Sequence, residues 1–148
     1  AIFAFGGTLD KYIGDATMAL FNAPLDLEKH QLKAVQTAWA MHERAKPLQN
    51  KLKKEFGRTI RFGIGIHTGS AIVGNIGANF RMDYTAIGDT VNTAARLESS
   101  SKPGQILISQ AVYDYVRDYV EVTDLGVIQV KGKSEVLQVY QIDRILEI

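Results

Sequence analysis

Apolar positions along this chain change period several times, and each change marks an element. Ala34, Val35, Ala38, Met41, Ala45, Leu48 and Leu52 recur three and four apart, the spacing that lines up one buried stripe of a helix. Asp26, just after Pro24, reads as the N-cap of that helix and Gly57 as its C-terminal stop. Pro47 falls inside it and, with no N–H to donate, is expected to kink or restart it. Trp39 and His42 on this segment read as packing or surface residues. Residues 59–67 switch to alternation. Phe62, Ile64 and Ile66 describe a half-buried strand, Thr68-Gly69-Ser70 a tight connection, and 71–77 a returning strand. Gly63, Gly65, Gly74 and Gly77 leave room for close strand or dimer packing, and His67 reads as structural.

The second half is more finely cut. Residues 77–81 form a polar turn, and 99–104 a loop. Residues 105–109, with Ile106, Leu107 and Ile108, make a short buried strand, and Ser109 is placed to cap a short helix carrying Val112, Tyr115 and Val116. Residues 120–122 and 128–130 are two strand pieces, Lys131-Gly132-Lys133 is a turn, and 136–142 alternates as a last strand. Two helices on one face of a mostly antiparallel sheet is the α+β solution this order suggests.

Two stretches carry more information than their periodicity. In Met82-Asp83-Tyr84-Thr85-Ala86-Ile87-Gly88-Asp89-Thr90-Val91-Asn92-Thr93-Ala94-Ala95-Arg96-Leu97-Glu98-Ser99, an extended segment turns at Gly88 into a helix capped by Asp89. Asn92 and Arg96, four apart, project from one face, while Val91, Ala94, Ala95 and Glu98 mark another. An amide one turn from a guanidinium suits the joint holding of a sugar and a phosphate, because Arg bonds phosphate oxygens in a fork and keeps its charge at any working pH. In residues 6–21 two short strands meet at Gly14-Asp15, where a glycine suits a type II′ hairpin. Asp15 then sits at the hairpin tip, with Lys11 on the strand leading to it.

Composition narrows the picture from the other side. A chain of 148 residues, 46% hydrophobic and 22% charged, fits one globular domain, 1–148, able to bury a core. Net charge +1 gives no electrostatic case for nucleic acid or an anionic membrane. Without cysteine there is no disulfide framework and no thiolate metal site, which fits a cytoplasmic setting. No apolar run approaches the roughly 20 residues of a membrane span, so membrane contact is expected only through segments outside this chain. No GxxxxGK[ST] and no GxGxxG opening a helix is present, which excludes those phosphate loops.

GGTLDKYIGDATMALF, then TAIGDTVNTAARLES, then VKGKSEVLQVYQI, closely resembles the catalytic domain of class III nucleotidyl cyclases, the adenylyl and guanylyl cyclases, from near residue 6 to near residue 142. The resemblance implies a ferredoxin-like βαββαβ core with an added hairpin. It also implies a strand upstream with the first metal-binding Asp and a phosphate-holding loop. Neither occurs here, so the chain is read as starting inside the domain and lacking its first strand.

Residue roles follow from the same resemblance. Asp15 matches the second metal-binding Asp, which implies two Mg²⁺ or Mn²⁺ ions, hard cations that take carboxylate oxygens. Asp10, Asp83 and Asp89 read as turn or cap residues. Lys11 matches the base-selecting lysine: an ammonium donates to N1 of adenine, whereas guanine carries N1–H there and would leave both donors unpaired. Thr85 matches the second base-selecting position, where many adenylyl cyclases have Asp; its hydroxyl can accept from the adenine N6 amino group. The Lys/Thr pairing is similar to the subgroup of soluble, bicarbonate-responsive and many cyanobacterial-type cyclases. Ala86 falls beside it in the substrate-binding group. Asn92 matches the ribose-orienting residue, Arg96 the one that stabilises charge on the α-phosphate, and Lys131 the lysine that grips the terminal phosphates, with Lys133 a near competitor. The implied substrate is ATP, and the implied assembly a symmetric homodimer with sites between subunits. The alternatives are a cyclase-like module that binds nucleotide or dimerises without turnover, and a guanylate cyclase, which Lys11 disfavours. A diguanylate cyclase would need a GG[DE]EF-type hairpin, which Gly6-Gly7-Thr8-Leu9-Asp10 is not.

Overall fold

The computed structural model describes residues 2, 5–13, 16–59, 61–78, 81–129 and 136–146, with the main chain alone at 9–13, 75–78 and 81–85. It begins with the expected hairpin. Strands β1 (Thr8–Ile13) and β2 (Ala16–Leu20) pair antiparallel, with Ile13 opposite Ala16. The Gly14-Asp15 connection itself lies outside the described residues, as do Lys131 and Lys133.

Helix α1 (His30–Phe56) starts three residues later than Asp26 suggests, with Lys29 rather than Asp26 in the cap position. The approach segment is already committed to a turn: the Asn22 side-chain oxygen accepts from the Leu27 N–H at 2.6 Å, and Lys29 enters the helix in the left-handed conformation, φ 52°. Gly57 does end it, at φ 68°, with its N–H on the Lys53 carbonyl at 2.9 Å. The apolar stripe is buried only near the start, at Leu32, Val35, Thr37 and Ala38. Thr37 is accommodated because its hydroxyl donates to the Lys33 carbonyl at 2.7 Å. Further along, Leu48 is exposed, against the expectation of a continuous stripe. Pro47 neither ends nor restarts the helix. It stands on an exposed stretch, where water can meet the Glu43 carbonyl that it leaves without a donor.

The middle of the chain departs most from its pattern. Strand β3 is only Ile64–Ile66, and the segment after Thr68-Gly69-Ser70 does not return along it. Instead β4 (Ile72–Ala78) pairs antiparallel with β5 (Arg81–Ile87), from Ile72 opposite Ile87 to Ala78 opposite Arg81. Residues 77, 78 and 81 therefore belong to strands rather than to a turn, and Asp83 and Asp10 are also strand residues. The partner of β3 is β6 (Ile106–Ser109), in parallel. Helix α2 (Asp89–Ser100) lies in the crossover between them, as a parallel pair requires a long connection. After α3 (Gln110–Val116) and a 3₁₀ turn at Arg117–Tyr119, the two expected strand pieces are one strand, β7 (Val120–Gln129). Its register shifts between Asp124 and Val127, where Gly126 takes φ 79°. Strand β8 (Val136–Ile145) lies between β6 and β7, giving the order β3-β6-β8-β7.

This sheet is covered on both faces. Ile106, Ile108 and Ile142 pack with Leu32, Val35 and Ala38 of α1 and Val112 and Val116 of α3. Leu107 and Val139, on the other face, pack with Leu97 of α2. The α+β class stands, but the one-face layering holds for α1 and α3 only. The continuous burial of β6 explains its unbroken apolar run. Among the described residues no helix is long and apolar enough to cross a membrane.

Candidate functional site

The site is built around α2. Strand β5 ends at Ile87, and Gly88 turns the chain at φ 127°, a conformation a side chain would strain. The helix begins at Asp89, so Asp89 is its first residue and Gly88 occupies the cap position. A carboxylate there still suits the positive end of the helix dipole. The Asn92 N–H closes the first turn on the Gly88 carbonyl at 3.2 Å.

The buried face of α2 is Thr93 and Leu97, while Ala95 and Glu98 are exposed. The face that spacing assigns to Val91, Ala94, Ala95 and Glu98 is therefore not the packed one; the contact is made by one large side chain, Leu97. Leu97 is fully buried. Strand β3 reaches it because residue 65 is glycine: a Cβ on Gly65 would stand 2.7 Å from Leu97 Cβ and 2.8 Å from the Leu97 carbonyl carbon. Asn92 and Arg96 are both exposed, one turn apart, on the flank of this anchored face. Their shared projection is the one the sequence predicts.

The neighbouring parts of the site are strands. Thr85 and Ala86 lie on β5, two and one residues before its end. Ala86 is 2% exposed, so as a whole residue it offers almost no surface to a ligand. Strands β1 and β5 run within contact of each other, which places the strand of Lys11 beside the strand of Thr85. The structure thus gathers the elements bearing Lys11, Thr85, Ala86, Asn92 and Arg96; Asp15 and Lys131 fall outside the described residues. Among the described residues no three His, Cys, Asp or Glu side chains cluster as a metal site. As donor chemistry, Asp15 offers one hard carboxylate, which fits a divalent cation but not a complete set for two.

Asn92, Ala95, Arg96, Glu98 and Ser99 on the outer surface of α2 are exposed. A cavity of about 260 Å³ lies elsewhere, lined by Trp39, His42, Lys46 and Gln141 among others. His42 there meets the Phe62 ring edge-on at 4.9 Å, and burial pushes its pKa below the ordinary value, opposed by a bond to the Phe62 main chain.

The loop after β3 completes the surroundings of α2. His67 Nδ1 lies 2.7 Å from Ser109 Oγ, which caps α3 by accepting the Val112 N–H at 3.4 Å. A neutral His67 that accepts the Ser109 hydroxyl proton satisfies this arrangement, and burial lowers the His67 pKa accordingly. Beyond it the Thr90 hydroxyl donates to the Ser70 carbonyl at 2.5 Å. The sequence reading passes over Thr90, since a threonine next to a helix start has many possible roles.

Three comparisons bear on this arrangement. Residues 10–144 match the family model described as adenylate and guanylate cyclase catalytic domain. Adenylate cyclase 1 of Rhizobium meliloti is 37% identical over 143 residues, covering 95% of this chain and 22% of that protein. The chain therefore spans less than a quarter of that relative's length. The adenylyl cyclase CyaB from P. aeruginosa superposes with TM-score 0.88 at 39% identity, over 96% of this chain and 74% of that one. The guanylyl cyclase Cya2 superposes at 0.91 and 31%, over 99% and 74%. With most of its length matched by the family model, the chain belongs to the adenylate and guanylate cyclase catalytic domain family.

Proposed function

We propose that this chain is the catalytic domain of an adenylate cyclase, which converts ATP to 3′,5′-cyclic AMP and pyrophosphate. The observation that carries the reading is the exposed Asn92–Arg96 pair, one helical turn apart beside the strands of Lys11 and Thr85. In the reaction the ribose 3′ oxygen bonds to the α-phosphorus, the bond from that phosphorus to the bridging oxygen breaks, and the hydroxyl proton is released. Such a transfer calls for positioning and charge placement more than covalent help. Asn92 orients the ribose, and Arg96 meets charge growing on the α-phosphate oxygens. Lys11 and Thr85 read the adenine edge, and Lys131 holds the terminal phosphates. Asp15 would hold Mg²⁺ or Mn²⁺ together with a further carboxylate, and ions held there would supply positive charge for the attacking and leaving oxygens. The exposed residues of α2 fit a site completed by a second copy, hence a homodimer, in a cytoplasmic domain with any membrane contact made by other segments.

The test is nucleotide turnover by the full-length protein that carries this domain, with Mn²⁺ and with ATP and GTP in parallel. Cyclic AMP from ATP is expected, falling about 10²–10³-fold in Arg96→Ala and lost in Asp15→Ala. Turnover of GTP in preference to ATP overturns the base assignment. Nucleotide binding without turnover favours a non-catalytic module, and a monomeric mass with nucleotide bound contradicts the homodimer.

A further inference from the structure

We infer that Thr90 is a positioning residue, whose hydroxyl clamps the first turn of α2 to the loop at Thr68-Gly69-Ser70 and so sets the direction in which Asn92 and Arg96 point. The hydroxyl donates to the Ser70 carbonyl at 2.5 Å, across twenty residues of sequence. Thr90 is the second residue of its helix, so there is no preceding helical turn whose carbonyl its hydroxyl could take, the usual fate of a helical threonine. The loop main chain lies directly against this hydroxyl: a Cβ on Gly69 would stand 2.8 Å from Thr90 Oγ1.

The other end of the loop is anchored in the core. His67, immediately before it, is bonded to Ser109, which is fully buried at the junction of β6 and α3. The path from the sheet to the site therefore runs from Ser109 through His67 and the loop to Thr90, two residues before Asn92. At the far end of α2, Gly65 lets β3 press on Leu97. The contact at Thr90 lies on the turn that begins the pair, and the one at Leu97 on the turn that ends it. An exposed hydrogen bond adds little to global stability. Its effect is local, on the placement of groups whose catalytic worth depends on distances of an ångström or less.

The kinetic consequence rests on the cyclase reading; the clamp itself does not, and the experiment separates them. Thr90→Val keeps the shape and removes the hydroxyl, Thr90→Ser keeps the hydroxyl, and Gly69→Ala presses a methyl on that hydroxyl from the loop side while leaving the sequence of α2 unchanged. Each is made in the full-length protein. Amide hydrogen exchange and ATP turnover are measured with wild type alongside. In Thr90→Val and Gly69→Ala, exchange at the Asn92 and Thr93 amides should quicken about tenfold, with α3 unchanged. For the same variants kcat should fall about tenfold with KM within about twofold, the split of a misplaced transition-state group. Thr90→Ser should match wild type in both. Unchanged exchange in Thr90→Val overturns the clamp whatever the rate does, and a Thr90→Ser variant as impaired as Thr90→Val shows that the hydroxyl is not the cause. Faster exchange in Thr90→Val with a wild type that forms no cyclic nucleotide supports the clamp and rejects the cyclase reading.

Discussion

Helices α1 and α2 are held in opposite ways. α1 runs for 27 residues, yet its four buried residues all fall in its first third, and its second half carries an exposed leucine and an internal proline. α2 has 12 residues, and its buried face meets strand main chain brought close by a glycine. The shorter helix bears the candidate site. Length and apolar content thus say little about how firmly an element is fixed. A helix that must aim two polar side chains gains more from one close, unyielding contact than from a long stripe, because functional groups need supports that do not move.

The largest expected effect tests this contrast directly. Leu97, with no exposed surface, fills the junction of α2 with Leu107 and Val139, whereas Leu48 on α1 is 56% exposed. Leu97→Ala should cost about 2–5 kcal/mol in urea unfolding. Leu48→Ala should cost less than about 0.5 kcal/mol. Similar losses at the two leucines would break the comparison, since they would mean that the outer half of α1 is packed after all.

A smaller effect is expected at the contact itself. Gly65→Ala adds one methyl where the Leu97 main chain already stands, and neither β3 nor α2 can withdraw without disturbing Leu107 beneath them. Overpacking of this kind costs about 1–3 kcal/mol. Unlike Leu97→Ala, it should displace α2 bodily, so the proposed cyclic AMP formation, measured in the full-length protein, should fall further than stability alone explains. Thermal unfolding read beside turnover at a temperature where the variant stays folded checks this. A stability loss with unimpaired turnover would show that α2 can shift without harm to the site.

The elements with a strong local period were legible in the sequence, and the elements set by long-range contact were not. The hairpin around residues 14 and 15, the buried run at 106–108, the Ser109 cap and the Gly57 stop each rest on residues within a few positions of one another. The shared exposure of Asn92 and Arg96 also follows from helical spacing alone. The partner of β3, by contrast, is 42 residues away in β6, and nothing at 64–66 distinguishes a parallel neighbour from a returning hairpin. The start of α1 departs from expectation because Asp26 has the chemistry of a cap, while Asn22 supplies the side-chain bond that shapes that turn. The packed face of α2 is not legible because its contact depends on Gly65, whose lack of a side chain gives no periodic signal. Nor is the role of Thr90: its partner is a main-chain carbonyl, which no residue type reveals.

The smallest effect concerns the two half-buried histidines, one on each side of the contrast. Burial lowers the pKa of His67 behind α2 and of His42 on α1, the latter helped by Lys46. Each therefore binds a proton less readily folded than unfolded, where the value is near 6.5. Stability from this source is present above about pH 6.5 and is lost as pH falls through the lowered folded values, at no more than about 1.4 kcal/mol per pH unit for each proton. The difference between urea midpoints at pH 7.5 and 5.5 should shrink in His67→Gln and in His42→Gln, and shrink most in the double variant. The two should differ in one respect. Protonated His67 must donate to the Ser109 oxygen instead of accepting from it, so the hydroxyl has to turn away and acid should loosen the loop that reaches Thr90, whereas protonation of His42 leaves that path intact. Exchange at the Asn92 amide should therefore quicken on acidification in His42→Gln, after correction for the intrinsic rate, and stay level in His67→Gln. Equal behaviour in the two variants would mean that the loop after β3 does not transmit the state of His67 to α2.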